Sequence, residues 1–465
     1  MEIIKKDIKE QLGKLSKMNV SFLDFVEKNP GSLKQSNFKD LLELGYDNLQ
    51  PWPIFINQQT KNQFIEAGVD VFNIIKSIPQ RLFSNCAEKI SRYYEIPQKE
   101  IENNLTGIND NFLKNLLARG DFILSPSGLK CVEYNVTVNL GGWHVAFFEL
   151  LYAKNPIISK FLEGYNVKIR NTNLISILFD HLVDAAVEGI ESYNEDELNI
   201  AIVSPGALIE GAAEEAGIRM FVNQIYGEVL QDKSTGMRGE IIFCDFSHLT
   251  IEKDCIFCQN KRIHVLLEMY HGDVPPEILE VFKKGNVLLH NGPITGLLSN
   301  KLNQAVLSEN EDSEAFTSTE RDIIKKYIPW TRKLVPREIM WGTTKYNLYD
   351  FVLSHQKKLV IKSSTGIGGD AVYIGRFTPI PQWKDVVDSA IQNRSWVVQE
   401  FVETLPYSFQ WGTDGCAEHQ GVWGLFVFGT TYAGGFLRVL PADNTKGVIN
   451  THQGATKTVV FEVED

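Results

Sequence analysis

The sequence lacks any apolar run that approaches the roughly 20 residues needed to span a membrane, and the run from Val145 to Phe148 ends at Glu149. Cysteine is scarce: six among 465 residues are too few for a disulfide scaffold, so we expect reduced thiols. The N-terminal segment MEIIKKDIKEQLGKL is charged and amphipathic, which argues against a signal peptide. These absences predict a cytoplasmic protein without a membrane partner.

An excess of basic residues is also lacking, because 46 Lys and Arg face 58 Asp and Glu for a formal net charge of −12. Proteins that bind nucleic acid or anionic membranes without specificity need such an excess. We therefore expect no nucleic-acid partner, although a local basic pocket for phosphate is compatible with this charge. At about 150 residues per domain, the length predicts roughly three domains.

A second Cys-x-x-Cys pair is absent as well. The one pair, Cys255 and Cys258, does not supply the four ligands of a structural zinc unless Cys244 or His248 contributes. A surface loop explains the pair more simply than a metal does.

What is present is a change of pattern along the chain. Helical spacing dominates to about residue 118, β-prone runs around the turn at 125–128 then predict a hairpin, and helical spacing returns at 174–192. Strand-like runs next alternate with helix-like segments, which predicts a parallel α/β layer. Those runs are 199–203, 219–222, 241–244, 263–267 and 286–290. Later strands are predicted at 358–363, 371–375, 396–399, 422–428 and 434–440.

A glycine-rich segment follows Lys362 and contains Gly366, Gly368 and Gly369. The β-prone residues AVYIG come next, whereas a dinucleotide fingerprint needs a helix there, and a protein-kinase loop carries its lysine after the glycines. The segment therefore predicts a hairpin loop whose backbone N–H groups close over phosphates, with a lysine at its base. An ordinary hairpin with a loose turn is the alternative.

The most informative side chains lie on the first predicted hairpin. Glu133 and Asn135 are two residues apart on one strand and share a face, and Asp121 on the preceding strand can lie opposite them. Their oxygens suit Mg²⁺, and Arg119, on the same face as Asp121, could bind a phosphate oxygen. The alternative is a solvated hairpin face of mixed charge.

A third segment, SWVVQEFVE, reads as a buried strand that leads into Gln399, Glu400, Phe401 and Val402. Its main-chain N–H and C=O groups could meet the edge of an adenine. A core strand that happens to end in polar residues is the plainer interpretation of this segment alone.

Together these segments resemble the ATP-grasp superfamily from about residue 50 onward, specifically its circularly permuted, glutathionylspermidine-synthetase-like members. In that family a strand lysine precedes a flexible glycine loop, a hinge contacts adenine, and an Arg-x-Asp…Glu-x-Asn set binds magnesium. Arg119, Asp121, Glu133 and Asn135 match that last set. They precede the glycine loop by more than 200 residues, which is the order of the permuted branch.

The resemblance implies an α/β fold, α+β in part: a circularly permuted ATP-grasp fold with an inserted Rossmann-like pre-ATP-grasp domain. It implies a helical region with the metal-binding hairpin at 1–195 and the Rossmann-like domain at 196–310. The remaining lobe, 311–465, would carry the glycine lid loop, the adenine hinge and the closing sheet.

The resemblance also implies roles for single residues. Lys301 and Lys362 match the two lysines that bind ATP, and Arg119 and Arg438 match catalytic arginines near the transferred phosphate. Gln399 stands where many relatives carry an acid. The hairpin oxygens would hold Mg²⁺, two ions by analogy with the family.

The implied function is that of an ATP- and Mg²⁺-dependent carboxylate–amine ligase, which forms an amide through an acyl phosphate. Its partners would be a small-molecule or peptide carboxylate and an amine. Three other functions stay open: a small-molecule kinase on the same scaffold, a catalytically inactive nucleotide-binding module and, more remotely, an NAD(P)-dependent oxidoreductase. The middle region lacks a glycine fingerprint after its first strand, which speaks against the last of these.

Four residues just beyond the metal set, Asn139, Gly141, Gly142 and Trp143, are predicted to line the acceptor or carboxylate pocket. The glycines would let backbone approach a ligand, and Trp143 would cover it. A tight turn followed by a core tryptophan is an equal alternative.

Overall fold

The structure is a computed structural model in which helices and strands of mixed orientation form one α/β architecture. It describes residues 5–29, 33–34, 49–140, 142–143, 145–170, 173–190, 193, 196–204, 213–233, 236–269, 274–366, 371–411, 415–443 and 447–464. The boundaries expected after residues 195 and 310 stay predictions.

The α-helices of this described part are, in chain order, α1 Lys6–Leu15, α2 Lys17–Lys28, α3 Gln58–Ile65, α4 Val71–Phe83, α5 Ala87–Tyr94, α6 Gln98–Asn104, α7 Asp110–Lys114, α8 Val145–Lys154, α9 Pro156–Gly164, α10 Leu174–Gly189, α11 Ala213–Lys233, α12 Pro276–Lys283, α13 Thr295–Leu298, α14 Leu302–Glu309, α15 Ser318–Tyr327, α16 Leu348–Ser354 and α17 Ile380–Asn393. Several begin at polar caps: the Asn173 side chain accepts from the first turn of α10, and Thr317 and Glu320 form a capping box on α15. No helix in the ranges given above is long and apolar enough to cross a bilayer.

The strands are β1 Ile54–Ile56, β2 Leu117–Ser125, β3 Gly128–Asn135, β4 Ile169–Arg170, β5 Ile200–Val203, β6 Ile241–Cys244, β7 Thr250–Glu252, β8 Cys255–Cys258, β9 Lys261–Ile263, β10 Val265–Glu268, β11 Leu288–His290, β12 Thr331–Lys333, β13 Glu338–Trp341, β14 Thr344–Asn347, β15 Leu359–Ser363, β16 Val372–Ile374, β17 Trp396–Glu400, β18 Tyr407–Trp411, β19 Gly415–Phe428, β20 Thr431–Pro441 and β21 Thr456–Val463. The predicted hairpin near residue 121 is confirmed as β2 and β3, and the five later predicted strands are confirmed as β15, β16, β17, β19 and β20.

The largest sheet has eight strands and joins the two ends of the chain. Its order is β1-β21-β20-β19-β2-β3, with β18 beside β19 and β4 beside β21. The C-terminal strand β21 is parallel to β1, and the other pairs are antiparallel. The hairpin β2–β3 therefore lies beside strands that are about 300 residues later in the sequence.

The middle of the chain forms the predicted parallel layer, with strand order β11-β10-β5-β6. The strand expected at 219–222 is wrong, because these residues lie inside α11. Buried residues recur there at helical spacing through Val222, Ile225, Tyr226 and Val229, and this longer pattern decides the element over the short apolar run.

A second antiparallel sheet has the order β12-β17-β15-β16. The strands on both sides of the glycine-rich segment, β15 and β16, pair with each other, which confirms the predicted hairpin. Residues 367–370, with Gly368 and Gly369, lie outside the described residues. One face of this sheet packs on a core that contains Phe351, Ile361 and Trp383, which leaves the other face for a ligand.

All six cysteines are free thiols. Cys255 and Cys258 occupy the two ends of β8, three residues apart, so their side chains point to opposite faces of the strand. Cys258 is buried and interacts with Cys244. The strand therefore does not direct the two thiols of the Cys-x-x-Cys pair towards one metal ion.

Candidate functional site

A cleft lies between the eight-stranded sheet and the four-stranded antiparallel sheet. It encloses about 1000 Å³ of space, part of it open to solvent. The predicted residues that line it are Arg119, Asp121, Glu133, Asn135, Lys362, Gln399, Glu400, Phe401, Val402 and Arg438. Ten predicted site residues from two distant parts of the chain thus share one cleft.

The register of the hairpin brings its polar side chains together. Asp121 lies directly opposite Glu133, and Arg119 lies directly opposite Asn135. A bulge at Val132 shifts the register just beyond Glu133. Because residues directly opposite each other on antiparallel strands share a face, these four side chains form one polar patch on the cleft side of the sheet.

Asp121 is the electrostatic centre of this patch. Its Oδ1 accepts a hydrogen bond from Arg119 Nε at 2.8 Å, and its Oδ2 accepts one from an Arg438 terminal nitrogen at 2.8 Å. Burial by itself raises the pKa of the Asp121 carboxyl, but the two guanidinium groups outweigh burial and lower the pKa to about 2. The carboxylate is therefore ionised and already shared between two cations.

An aromatic ring supports both arginines. The guanidinium carbons of Arg119 and Arg438 each lie 5.7 Å from the centre of the Phe436 ring. A Cβ on Gly424, which faces Asp121 across the strands, would come within 2.6 Å of Phe436 and 3.1 Å of Arg119. Glycine at this position leaves the room that the ring and the arginine side chain occupy. Arg438 Nε is buried and has no hydrogen-bond partner in the described residues.

Lys362 enters the cleft from the other sheet. Its Nζ donates to Gln399 Oε1 at 2.7 Å and to the Val132 carbonyl oxygen on the hairpin at 3.1 Å. Burial lowers the pKa of the Lys362 ammonium from 10.5 to about 8, against the opposing attraction of Glu133. The side chain thus carries a charge that its direct partners, both neutral, do not compensate.

Lys301 connects the hairpin to the glycine-rich segment. It precedes α14, as predicted for a lysine that opens a helix, and is buried. Its Nζ lies 3.3 Å from Glu133 Oε1 and donates to the Gly366 carbonyl oxygen at 2.5 Å, while its backbone N–H donates to Ser364. Ser364 and Gly366 of the glycine-rich segment are therefore joined through Lys301 to the polar patch.

Cations outnumber anions around the polar patch. Lys362, Arg119 and Arg438 line the cleft and Lys301 lies beside Glu133, against the carboxylates of Asp121 and Glu133; the third carboxylate of the cleft lining, Glu400, belongs to the hinge. In a chain with a net charge of −12, this local excess favours an anionic ligand such as a polyphosphate.

The donor set fits magnesium by its chemistry. Two carboxylates and the Asn135 amide are hard oxygen donors, and the Glu133 side chain is 27% exposed towards the cleft. Groups of three or more His, Cys, Asp or Glu arranged to hold a metal are absent from the part of the chain that the structure describes. A magnesium site here would therefore rest on two carboxylates, the amide and oxygens that a ligand brings.

The opposite end of the cleft is apolar. On the cleft face of the antiparallel sheet, Val360 lies between Ile374 and Gln399, and Val372 is opposite Lys362. Ile123 and Val422 of the large sheet also line the cleft. This pattern provides a flat apolar surface of the kind that binds an aromatic base.

The hinge differs from its prediction in part. The Glu400 N–H donates to the Trp330 carbonyl and the Phe401 N–H donates to the Lys358 carbonyl, so neither is available to a base. The Gln399 side chain is also committed, to Lys362 and to Thr331 Oγ1. Among the four hinge residues, Val402 keeps a main-chain N–H without a partner in the described structure.

Sequence reasoning missed one wall of the cleft, the loop after β20. Gly447, Val448, Ile449 and Asn450 line the cleft. Gly447 has φ of +71°, and a Cβ there would come within 2.4 Å of Phe377, which follows β16. Only glycine fits this close approach, and a glycine in a loop was the one available signal.

Two of the residues predicted for the acceptor pocket pack on phenylalanine rings. Trp143 stacks on Phe426 and Phe428, with ring centres 5.6 and 5.7 Å away, and its Nε1 donates to the Val138 carbonyl. Gly142 has φ of +90° and packs closely on the Phe436 ring.

These contacts favour the turn-and-core alternative for Trp143, whose indole is used in packing. The backbone N–H of Asn139 donates to the Thr137 hydroxyl within its own turn, and Gly141 lies outside the described residues. Contact of Asn139 or Gly142 with a substrate stays a prediction.

Comparisons with known proteins give little identity. No protein-family model matches the chain, and no curated relative matches it. A solved candidate gamma-glutamylcysteine synthetase from Methylobacillus flagellatus KT is 11% identical with a TM-score of 0.39, over 85% of this chain and 88% of that one. D-alanyl-alanine synthetase A from Vibrio cholerae O1 biovar eltor str. N16961 is 11% identical with a TM-score of 0.28, over 57% and 74%. TM-scores this low carry no argument about the present chain.

Proposed function

We propose that the protein is an ATP- and Mg²⁺-dependent ligase that joins a carboxylate to an amine. The observation that carries the proposal is the division of the cleft into two ends. One end has apolar side chains on the antiparallel sheet, and the other has three lining cations, with Lys301 beside them, around two carboxylates and an amide. A nucleoside triphosphate has the matching form, with an aromatic base at one end and a polyanion at the other.

The base would lie on Val360, Val372 and Ile374, with the free N–H of Val402 at its edge. The phosphates would reach Lys362 and the other cations. Mg²⁺ held by Asp121, Glu133 and Asn135 would supply charge neutralisation of the phosphate oxygens.

The reaction proposed for the cleft proceeds in two steps. A substrate carboxylate oxygen attacks the γ-phosphorus, the bond to the ADP oxygen breaks, and an acyl phosphate forms. An amine then attacks the acyl carbon, phosphate leaves with the electron pair of the C–O bond, and the nitrogen loses a proton. Arg119 and Arg438, which both contact Asp121, would offset charge on the transferring phosphoryl group and on the tetrahedral carbon.

The fold proposal follows the same lines. The antiparallel sheet with Lys362 and the large sheet with the β2–β3 hairpin would be the two halves of an ATP-grasp unit in permuted order. The parallel layer β11-β10-β5-β6 would be the inserted Rossmann-like domain. A closing glycine loop after Lys362 would exclude water from the acyl phosphate.

An ADP-release assay tests the function. The protein is supplied with ATP and Mg²⁺ and with panels of carboxylates, with and without amines. We expect ADP release that requires a carboxylate and rises when an amine is added, with hydroxylamine converting the same carboxylate into a hydroxamate. ADP release that requires only a hydroxyl compound would replace the ligase by a small-molecule kinase.

A matched pair of variants tests the residue assignment. Glu133→Gln should lower turnover by a factor of about 10²–10³, because one charge in the polar patch is lost. Glu88→Gln is the control, since Glu88 forms an exposed ion pair with Arg92 on α5. Full turnover by a folded Glu133→Gln variant would overturn the metal assignment.

A further inference from the structure

The side chain of Asn291 takes the place of a neighbouring strand beside β2. It follows β11 directly and is buried. Its side chain makes both hydrogen bonds that a neighbouring strand would make with one residue: Oδ1 accepts from the Leu117 N–H at 2.8 Å, and Nδ2 donates to the Leu117 carbonyl at 2.7 Å. Leu117 is the first residue of β2, two before Arg119.

Ser299 does the same beside β3. Its hydroxyl accepts from the Val136 N–H at 2.9 Å and lies 3.1 Å from the Val136 carbonyl, to which it donates. Val136 follows Asn135, the last residue of β3. The two side chains therefore hold the two strands of the hairpin at its open end, beyond the register pair of Arg119 and Asn135.

Both residues belong to the same short connection, 291–301. This connection begins at the edge strand of the parallel layer and ends at Lys301, which contacts Glu133 and the glycine segment. Four side chain–backbone hydrogen bonds thus set the position of the hairpin relative to the lysine that completes the polar patch.

We propose that Asn291 and Ser299 are positioning residues that hold the hairpin carboxylates and Lys301 at the spacing needed for a metal–nucleotide complex. The inference rests on the proposed function. A hairpin that is free at its open end would let Glu133 and Asn135 move apart from Asp121, and metal affinity depends on donor geometry more than on the presence of the donors.

The chain contains a matched control at the opposite edge of the same sheet. The Asn19 side chain makes the same pair of hydrogen bonds with Phe55 on β1. Its Nδ2 donates to the Phe55 carbonyl at 2.8 Å, and its Oδ1 accepts from the Phe55 N–H at 2.8 Å. Asn19 is also buried and does not line the cleft. Asn19→Ala removes the same kind of bonds without touching the hairpin.

The experiment measures Mn²⁺ affinity by electron paramagnetic resonance with a non-hydrolysable ATP analogue present, and urea unfolding of each variant. We expect Asn291→Ala and Ser299→Ala to weaken Mn²⁺ binding about tenfold, the loss expected for an outer-shell partner. Ser299→Thr, which keeps the hydroxyl, should stay within about twofold of the natural protein. Asn19→Ala should lower the urea midpoint as Asn291→Ala does but leave Mn²⁺ affinity unchanged.

Three outcomes would overturn the inference. In one, both alanine variants bind Mn²⁺ with the natural affinity; in another, Asn19→Ala weakens Mn²⁺ binding as much as they do. The third applies if Ser299→Ala does not fold. In that case natural Mn²⁺ affinity in Asn291→Asp, which keeps the acceptor for the Leu117 N–H but loses the donor to the Leu117 carbonyl, would overturn the inference. Failure of the natural protein to bind the analogue would instead reject the proposed function itself.

Discussion

The charged and apolar ends of the cleft differ in how their residues are held. At the charged end, buried ion pairs fix Asp121 between Arg119 and Arg438, and Lys362 has neutral partners only. At the apolar end, Val360 and Ile374 are positioned by the strand register alone. Buried charge is costly, and a chain retains it where a ligand uses it. At the charged end, the groups that bind a ligand therefore cost folding free energy, whereas at the apolar end the same side chains favour both folding and binding.

The largest effect is expected from Asp121→Asn. The change leaves two buried guanidinium groups without a counter-charge, so the free energy of unfolding should fall by about 3–5 kcal/mol. Because the pKa of Asp121 is lowered from 3.8 to about 2, its contribution is complete above pH 3.8 and is lost as the pH falls through about 2. Urea unfolding followed by circular dichroism measures both effects.

The control for this comparison is Asp184→Asn. Asp184 forms an exposed ion pair with Lys233, so its loss should cost less than about 1 kcal/mol. Equal losses in the two variants would remove the distinction between the buried patch and an ordinary surface pair.

Lys362→Met should separate function from stability. Turnover should fall by a factor of about 10²–10³, because the cation that faces the phosphates is lost. The free energy of unfolding should change by less than about 1 kcal/mol, because relief of the buried charge offsets the lost hydrogen bonds. Lys333→Met is the matched control, since Lys333 is equally buried but lies 3.0 Å from the Glu95 carboxylate. It should destabilise the fold without the same loss of turnover.

The pH dependence of nucleotide affinity is the next effect in size. Lys362 must be protonated to donate a hydrogen bond to a phosphate, and the pKa of its ammonium group in the free protein is about 8. Affinity for ATP should therefore be complete below pH 8 and fall by up to about tenfold per pH unit above it. Calorimetric titrations between pH 7 and 9.5 measure this. Lys362→Arg should abolish the fall, because arginine stays protonated; a fall that persists in this variant would exclude Lys362 as its source.

The smallest effect is expected at the apolar end. Val372→Ala removes two methyl groups from a half-buried position that lines the cleft, so affinity for ATP should fall by about three- to fivefold. Adenosine should lose affinity by the same factor, and inorganic tripolyphosphate should lose less, because Val372 has no polar group to contact a phosphate although it lies opposite Lys362. An equal loss of tripolyphosphate affinity would show that the two ends of the cleft are not independent.

Local patterns predicted much of this arrangement. The β-prone runs around the turn at 125–128 indicated a hairpin, the two-residue spacing of Glu133 and Asn135 indicated a shared face that Asp121 can oppose, and the β-prone residues after the glycines excluded a helix there. Both follow from strand geometry, which the sequence carries residue by residue. The placement of Lys362 on the strand before the loop is equally local.

Local patterns did not predict which residues contact each other across the fold. The sequence around Asp121 does not indicate that Arg438, on a strand more than 300 residues later, forms an ion pair with its carboxylate. The same holds for Asn291 and Ser299, whose role appears only when the hairpin and the connecting segment are seen together. Trp143 shows the same dependence: the sequence left a ligand cover and a core tryptophan equally open, and its packing on two phenylalanines favours the second. Such contacts depend on tertiary folding.

The most direct test of the account is a calorimetric titration of a non-hydrolysable ATP analogue with Mg²⁺ into the natural protein and into Lys362→Met and Glu133→Gln, one variant from each sheet. We expect one bound analogue per chain, displaced by ADP, and at least a tenfold loss of affinity in either variant. No binding by the natural protein, or unchanged binding by either variant, would contradict a nucleotide site shared by the two sheets.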